Sequence, residues 1–296
     1  MRLPVPLAAL LLSARVATAQ TVPARDLLNA PLGLIGAPAA LADGVAAGVW
    51  NPATKALEGD DRYSAGVAAL NAPVDVALTG QLLSVAFRVR SRGTIGASLA
   101  RAGVADLVRT DTDPQSIGGD IPYGIWVTSL GYSYRVAPHL VVGAAARYLS
   151  GRVDGDQRAR LGADAGVLVD GLGTVDGRLA ASTFLQTVDR EEPTTLLLAG
   201  DARVYQRDSS LMLRAGLGLV RTPRAVTEWY PHVSGSLGRV LVRGGPVLVD
   251  AFGTASWRSR LAITLEQDRF TIGVVQESNS SGLTPTYQIA VSTRRR

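Results

Sequence analysis

The chain has 296 residues, a formal net charge of +5 and a mean hydropathy of +0.17, and it contains no cysteine. These values exclude a disulfide framework and a thiol nucleophile, and the 19% of charged residues argues against disorder, which combines high charge with low hydrophobicity. After residue 15, the longest uncharged stretches are 27–42 and 278–293, which are too short for a membrane helix of about 18 apolar residues.

Residues 1–19 are predicted to be a signal peptide. Arg2 supplies a positive start, residues 3–12 form an apolar core, and residues 17–19 place alanines at the two positions that a signal peptidase reads. A membrane anchor is the weaker interpretation, because the apolar stretch is short and Arg15 interrupts it. The chain is therefore expected to be exported.

The exported chain has no concentrated positive charge. Cleavage before Gln20 removes two arginines and lowers the net charge from +5 to about +3, and the remaining charges are spread along the chain. The pI near 9.9 therefore does not indicate a basic patch, and we predict no nucleic-acid partner. Lys55 is the only lysine.

Residues 20–61 show no strand pattern and are predicted to form loops and short helices. The segment contains many apolar and small residues, together with Pro and Gly that interrupt regular structure. It has no periodic face of its own that could pack on a neighbour. A segment this apolar has to be shielded from water, and we expect the rest of the chain to enclose it.

From residue 62 to 296, apolar residues recur at every second position. In 83–89, Leu, Val, Phe and Val alternate with small or charged residues, and 140–148 and 211–219 repeat the pattern. Such alternation is typical of strands with two different faces. Further runs are Leu161 to Val169, Leu179 to Leu185, Leu196 to Val204, Val247 to Trp257, Leu261 to Leu265, Phe270 to Val274 and Tyr287 to Val291.

Turn-forming sequences separate these runs, among them Gly171-Leu172-Gly173 and Arg243-Gly244-Gly245-Pro246. The runs number about 12 to 14, and each is about ten residues long, which is the length of a tilted strand that crosses a bilayer. An even number of strands would close a barrel with both chain ends on one side.

Two folds fit the alternation. In a soluble β-sandwich the apolar face would be the core, whereas in an outer-membrane barrel it would face lipid. The aromatic content of only 5% favours the sandwich, although aromatic residues do lie near predicted strand ends, as in a membrane girdle. Those residues are Trp126, Tyr132, Tyr134, Tyr148, Trp229, Tyr230 and Trp257.

The second face of the strands favours the barrel. It is rich in glycine and serine, and glycine weakens a strand surface that is exposed to water. Small residues there make sense if another part of the chain fills the interior. The positions are Gly96, Ser98, Gly131, Ser133, Gly143, Gly162, Gly166, Gly216, Gly218 and Gly273. We therefore predict an all-β fold, in which residues 62–296 form a transmembrane antiparallel barrel of about 14 strands and residues 20–61 plug its lumen.

The segment from Gly36 to Ala53 runs through small residues to Ala42-Asp43 and then to Trp50-Asn51-Pro52-Ala53. It resembles the N-terminal hatch of the FadL-like outer-membrane proteins, which include hydrophobic-compound transporters and PorV-type secretion barrels. The barrel region is similar at Gly131-Tyr132-Ser133-Tyr134-Arg135 and at Ala163-Asp164-Ala165-Gly166. The chain departs from the group at its end, where three arginines replace the usual aromatic residue.

The predicted plug residues are Asp43, Trp50, Asn51 and Pro52. An asparagine side chain can close a turn onto a backbone N–H, and the following proline fixes φ, so this pair predicts a rigid corner. Asp43 is expected either to cap a helix that begins near Gly44 or to pair with an arginine of the lumen, for which the candidates are Arg88, Arg147 and Arg214. The predicted lumen-facing charges are Arg88, Arg147, Asp164 and Arg214.

One pair of residues suggests catalysis. His232 and Ser234 stand at positions i and i+2, on one face of a strand, where they could act as base and nucleophile. Lipid A deacylase barrels use a similar His-x-Ser. A polar strand that faces the lumen explains the same residues and is preferred. We therefore predict no catalytic residues, no metal site and no cofactor.

The resemblance implies a passive outer-membrane channel for small hydrophobic compounds in a Gram-negative-type bacterium, gated by movement of the plug. The expected partners are outer-membrane lipid, a small hydrophobic ligand and the barrel assembly machinery. Two alternatives remain: a PorV-type or structural barrel, which would hold secreted proteins, and an outer-membrane lipid hydrolase that uses His232 and Ser234.

Overall fold

The structure is a computed structural model that describes residues 21–56, 61–72, 77–107, 120–187, 193–208, 210–251, 253–278 and 285–295. These residues form fourteen antiparallel strands, which close into one barrel, and four short 3₁₀ turns that precede them. Among the same residues, no helix is both long and apolar enough to span a membrane. The predicted signal peptide lies outside the described residues.

The 3₁₀ turns span Arg25–Asn29, Ala39–Leu41, Gly44–Ala46 and Pro52–Lys55. The strands are β1 (Tyr63–Asn71), β2 (Leu78–Arg90), β3 (Gly93–Val104), β4 (Tyr123–Ala137), β5 (Leu140–Val153), β6 (Asp156–Leu172), β7 (Gly177–Phe184), β8 (Thr195–Arg207), β9 (Leu211–Thr222), β10 (Val226–Leu237), β11 (Val240–Ala251), β12 (Thr254–Gln267), β13 (Phe270–Glu277) and β14 (Thr286–Arg295). Each strand pairs with its neighbours in sequence, and β1 pairs with β14. The prediction of an all-β antiparallel barrel is confirmed.

The apolar face of each strand points outward. On β2, Leu83 and Phe87 are about half exposed on the outer surface, whereas Leu82 and Ser84 are buried inside. The same division holds on β5, where Tyr148 points outward and Arg147 points inward. A closed barrel leaves no strand edge unpaired, so an apolar outer surface of this kind suits a lipid environment.

The first strand begins and the last strand ends at the same end of the barrel, which we call the terminal rim. The opposite end is called the loop rim. Trp126, Trp229 and Trp257 point outward near the loop rim, as the aromatic pattern predicts. Tyr230 does not belong to this girdle, because it faces the lumen and is only 2% exposed.

Two strand boundaries differ from the prediction. The run 247–257 is divided between β11 and β12, and the predicted turn at 243–246 lies inside β11. Pro231 of β10 and Pro246 of β11 lie in the stretch where the β10–β11 pairing is interrupted. Proline has no N–H to donate, so Gly-Gly-Pro interrupts the ladder here without turning the chain.

Candidate functional site: the lumen and its N-terminal segment

Residues 21–56, called here the N-terminal segment, lie inside the barrel. Their 3₁₀ turns contact β1 to β9 and β14. The Tyr230 hydroxyl of β10 donates to the carbonyl oxygen of Gly36 at 3.0 Å, and Arg243 of β11 donates to that of Ile35 at 3.3 Å. Ala262 of β12 and Gly273 of β13 lie beside the same two residues. A chain that touches every strand of a closed barrel occupies its lumen.

Glycines of the wall make room for this segment. A Cβ atom added at Gly143 would overlap the backbone of Pro52, and one added at Gly166 would overlap the side chain of Asn51. Six further wall glycines contact the segment in the same way: Gly66, Gly80, Gly96, Gly151, Gly218 and Gly273. The inward position of the glycine-rich face agrees with the sequence prediction, and it explains why larger side chains are absent there.

Asn51 and Pro52 form the predicted corner. Asn51 is fully buried, and its Oδ1 accepts a hydrogen bond from the backbone N–H of Ala53 at 3.0 Å. Its Nδ2 donates to the carbonyl oxygens of Ala40 at 2.8 Å and Val167 of β6 at 3.3 Å. The corner is therefore tied both to the rest of the segment and to the wall.

Trp50 packs on the wall next to this corner. Its ring stacks on Phe184 of β7 with 4.6 Å between centroids, and its Nε1 donates to the carbonyl oxygen of Leu32 at 3.1 Å. The Arg147 guanidinium lies 4.8 Å from the Phe184 ring centroid, pairs with Asp164 and donates to a carbonyl oxygen of the segment. Arg147 and Asp164 thus face the lumen, as predicted.

A single wall glutamine holds the first part of the segment. Gln288 of β14 is buried, and its Oε1 accepts from the backbone N–H of Gly33 at 2.9 Å. Its Nε2 donates to the carbonyl oxygen of Pro31, also at 2.9 Å. Gln288 was not among the predicted residues, although its place on the inward face of an alternating strand indicated a polar side chain in the lumen.

Asp43 pairs with Arg243, which was not among its predicted partners. Arg243 donates to the two carboxylate oxygens at 3.1 and 2.5 Å. Arg88 instead donates to the carbonyl oxygen of Asp61 at 2.8 Å, and Arg214 pairs with Asp201 at 2.8 Å. The partner is an arginine of the lumen, as expected, but the three named candidates were wrong, because distance around the barrel, which sequence does not reveal, decides which arginine reaches the segment.

The alternative role of Asp43 as a helix cap is also wrong. Asp43 stands at the N-cap position of Gly44–Ala46, but its side chain makes no capping hydrogen bond. Burial raises the pKa of the Asp43 carboxyl, but the charge and hydrogen bonds of Arg243 outweigh that effect and hold the pKa below 3.8. Asp43 therefore stays charged at neutral pH and anchors the segment through an ion pair.

Lys55, the only lysine, is buried at the end of the segment. It is 7% exposed, and its aliphatic chain packs against Gly48 and Gly96. Among the described residues, no carboxylate forms an ion pair with its ammonium group. Burial lowers the pKa of Lys55 from 10.5 to about 8. The charged amine is therefore a destabilising element of the docked segment at neutral pH.

Replacing this amine should tighten docking. We expect Lys55→Met to stabilise the docked segment at pH 7 by up to about 3 kcal/mol. This is the free energy that corresponds to the drop in the pKa of Lys55 from 10.5 in the undocked segment to about 8 in the docked one. In the wild type, stability should rise between pH 8 and 10.5, where the undocked amine keeps its proton and the docked amine has lost it. Hydrogen exchange of residues 21–56 measures both effects, and an equal pH dependence in Lys55→Met would contradict this account.

Two further charge clusters face the lumen, and Arg214 is the only one of their members that was predicted from the sequence. Asp201 accepts hydrogen bonds from Arg178 at 2.9 Å and from Arg214 at 2.8 and 3.1 Å. Nearer the loop rim, Arg260 pairs with Glu277 at 2.7 Å and with Glu228 at 3.2 Å. These clusters balance the charges of the wall internally, so they cross-link strands and leave few free charges toward the segment.

His232 and Ser234, the candidate base and nucleophile, both lie on β10. Both side chains face the lumen and are 5% and 7% exposed, and no hydrogen bond joins them in the described part of the chain. A membrane lipid would have to enter a filled lumen to reach them. The described residues also contain no cluster of three His, Asp or Glu side chains that could hold a metal ion.

Two cavities lie on opposite sides of the N-terminal segment. The loop-side cavity, of about 370 Å³, is lined by Leu28, Leu34, Trp50, Phe184 and Val220 among others, and is mainly apolar. The terminal-side cavity, of about 340 Å³, is more polar, and its lining includes Ile35, Asp43, Lys55, Ser84 and Arg243. Both volumes are in the range of small-molecule sites. Leu34 lines one cavity and Ile35 the other, so the partition between them is thin.

A closed up-and-down barrel with an apolar outer face and a filled lumen belongs to the class of outer-membrane β-barrels. No family model and no curated protein sequence matches the chain. Among solved structures, it is similar to the toluene transporter TodX of Pseudomonas putida, with a TM-score of 0.58, 12% identity, and coverage of 88% of this chain and 96% of TodX.

It is also similar to the TodX deltaS2S3 mutant, a monoaromatic hydrocarbon channel, with a TM-score of 0.56, 12% identity, and coverage of 85% of this chain and 94% of that one. At these identities the similarity concerns the fold. At that level it confirms the resemblance to FadL-like outer-membrane barrels.

Proposed function

We propose that the protein is a passive outer-membrane channel for small hydrophobic compounds and that its N-terminal segment is the plug. The observation that supports this most directly is the pair of cavities, which lie in one lumen on opposite sides of the segment. Displacement of the segment would join them into a path from one rim to the other. The TodX structures, whose names describe a toluene transporter and a hydrocarbon channel, support the same proposal.

The loop-side cavity suits the capture of an apolar ligand. Its aromatic and aliphatic lining would take up a small hydrocarbon through the hydrophobic effect, worth about 25 cal/mol per Å² of buried apolar area. In an outer-membrane barrel whose first strand begins and whose last strand ends on the periplasmic side, the loop rim faces outward. A compound would therefore meet the apolar cavity first and the polar one after passing the plug.

The plug is held by contacts that can break individually. The partition residues 34 and 35 lie between Gly33 and Gly36, which have φ values of 77° and 67°. Hydrogen bonds from Tyr230, Gln288 and Arg243 hold this stretch, and it forms no strand pairing with the wall. Single hydrogen bonds contribute about 0.5–1.5 kcal/mol each, so a local displacement is far less costly than opening the barrel.

Deletion of residues 21–53 tests the proposal. Cells that express the wild type should take up labelled toluene faster than cells without the protein, and the deletion variant should in addition pass ions in planar bilayers, because its lumen is no longer filled. Deletion of an equal length of the barrel cannot serve as a control, because that variant would not fold. Trp50→Ala is therefore compared with the deletion as a milder change, which keeps the plug but removes one of its side chains. Wild-type uptake equal to that of cells without the protein would reject the channel function.

A further inference from the structure

The outer surface of β3, β4 and β5 near the loop rim carries an unusual arrangement. Strand pairing places Arg101, Trp126 and Ser150 side by side in one row. In the next row toward the loop rim, the outward positions are Gly103, Gly124 and Arg152. Two arginines therefore stand diagonally across β4, and Gly103 and Gly124 form a floor that adjoins both of them.

The floor beside the arginines carries no side chains of its own. A Cβ atom added at Gly103 or Gly124 would have only neighbouring backbone atoms within 4 Å. No side chain of the described residues therefore covers this part of the wall. A flat, rigid group could therefore approach the backbone here more closely than at positions where outward side chains cover it.

Both arginines are available for an anion. Arg101 is exposed, and its guanidinium lies 5.0 Å from the Trp126 ring centroid, which holds the charged group at the surface. Arg152 is exposed as well, and Nε donates to the carbonyl oxygen of Asp154 at 3.2 Å. In the described residues, neither arginine forms an ion pair, and no carboxylate points outward from β3, β4 or β5.

Below the arginines the surface becomes apolar. The row under Arg101 contains Leu99 and Tyr148, and the one after it contains Leu130. From the loop rim toward the membrane centre the surface thus changes from cationic, through aromatic, to aliphatic. This sequence of chemistries matches an amphiphile with an anionic head and acyl chains.

We propose that this surface, defined by Arg101, Gly103, Gly124, Trp126 and Arg152, binds a phosphorylated glycolipid of the outer leaflet. The backbone positions of the two arginines lie two strands apart, about 10 Å across the wall, so a single phosphate would have to be shared between them. Two phosphates on a rigid sugar scaffold would engage both, while the sugar rings cover the glycine floor. The proposal rests on the outer-membrane location proposed above and is independent of transport.

The test uses the purified full-length protein in detergent with added bis-phosphorylated lipid A, and native mass spectrometry counts the bound lipid. The wild type should retain lipid A, and Arg101→Gln/Arg152→Gln should bind it at least about tenfold more weakly, because two charge-assisted contacts are lost. Arg221→Gln, which removes another outward arginine near the same rim on β9, is the matched control and should bind like the wild type.

Two further lipids identify the ligand. The first is phosphatidylglycerol, and the second is lipid A from which both phosphates have been removed. Bis-phosphorylated lipid A should displace each of them from the wild-type protein. Equal retention by the double variant and the wild type would overturn the proposal, and so would phosphatidylglycerol that competes as well as lipid A. Because these variants leave the lumen unchanged, toluene uptake measured on the same proteins separates a failure of this proposal from a failure of the channel function.

Discussion

Fixing the plug to the wall with a disulfide should abolish hydrocarbon flux. The chain has no cysteine, so Ile35→Cys/Gly273→Cys introduces the only thiols. A Cβ atom at Gly273 would lie 2.6 Å from Cγ2 and 3.1 Å from Cγ1 of Ile35, which places the two Cβ atoms close to the 3.5–4.5 Å of a disulfide. Oxidation should lower toluene uptake to that of cells without the protein, and a reductant should restore it.

A second cysteine pair controls for the cross-link itself. Ser98 and Ser129 face each other on β3 and β4, and their hydroxyl groups are hydrogen-bonded. Ser98→Cys/Ser129→Cys therefore joins two wall strands without touching the plug partition, and oxidation should leave uptake unchanged. If the Ile35→Cys/Gly273→Cys protein transports equally well when oxidised and when reduced, the segment around residue 35 does not move during transport.

A larger side chain at Gly143 should have the opposite effect and open the lumen. The added carbon atoms of Gly143→Val would occupy the position of the Pro52 backbone, so the Asn51-Pro52 corner has to leave the wall. Overpacking of this kind costs about 1–3 kcal/mol, which corresponds to a rise in the undocked population of about fivefold or more. Single-channel recording in planar bilayers should show open events that the wild type lacks.

Gly235→Val is the matched control for that experiment. Gly235 also lies within a strand, but it faces outward, and an added Cβ would contact only the Cδ2 of Leu213 at 3.0 Å. This variant should fold and stay closed. Equal conductance in the two valine variants would mean that strand disruption, and not loss of the corner, opens the lumen.

The barrel was predictable because the information is local. Alternation along a strand such as 83–89 identifies its lipid face, and the glycines on the opposite face indicate a filled lumen. The Asn51-Pro52 corner was predictable for the same reason, since its closing hydrogen bond runs to a residue only two positions away. Where local signals conflict with strand pairing, as at Gly244-Gly245-Pro246, pairing prevails and the prediction fails.

The contacts of the segment with the wall could not be predicted in this way. Asp43 and Arg243 are 200 positions apart, and which of the many arginines reaches Asp43 depends on the stagger of the strands around the barrel. Tyr230 was assigned to the membrane girdle because an aromatic residue near a strand end fits either face. Only the register, in which Trp229 points outward, turns Tyr230 toward the lumen.

The hydrogen bonds of Gln288 have a consequence for the order of folding. The segment that they hold is made first during synthesis, whereas Gln288 lies on the final strand, 255 and 257 positions after its two partners. Contacts between such distant parts of a chain form late, after the intervening chain has been ordered. The stretch around Gly33 is therefore fixed to the wall only after β14 has been made, later than the parts of the segment that contact β4 to β8.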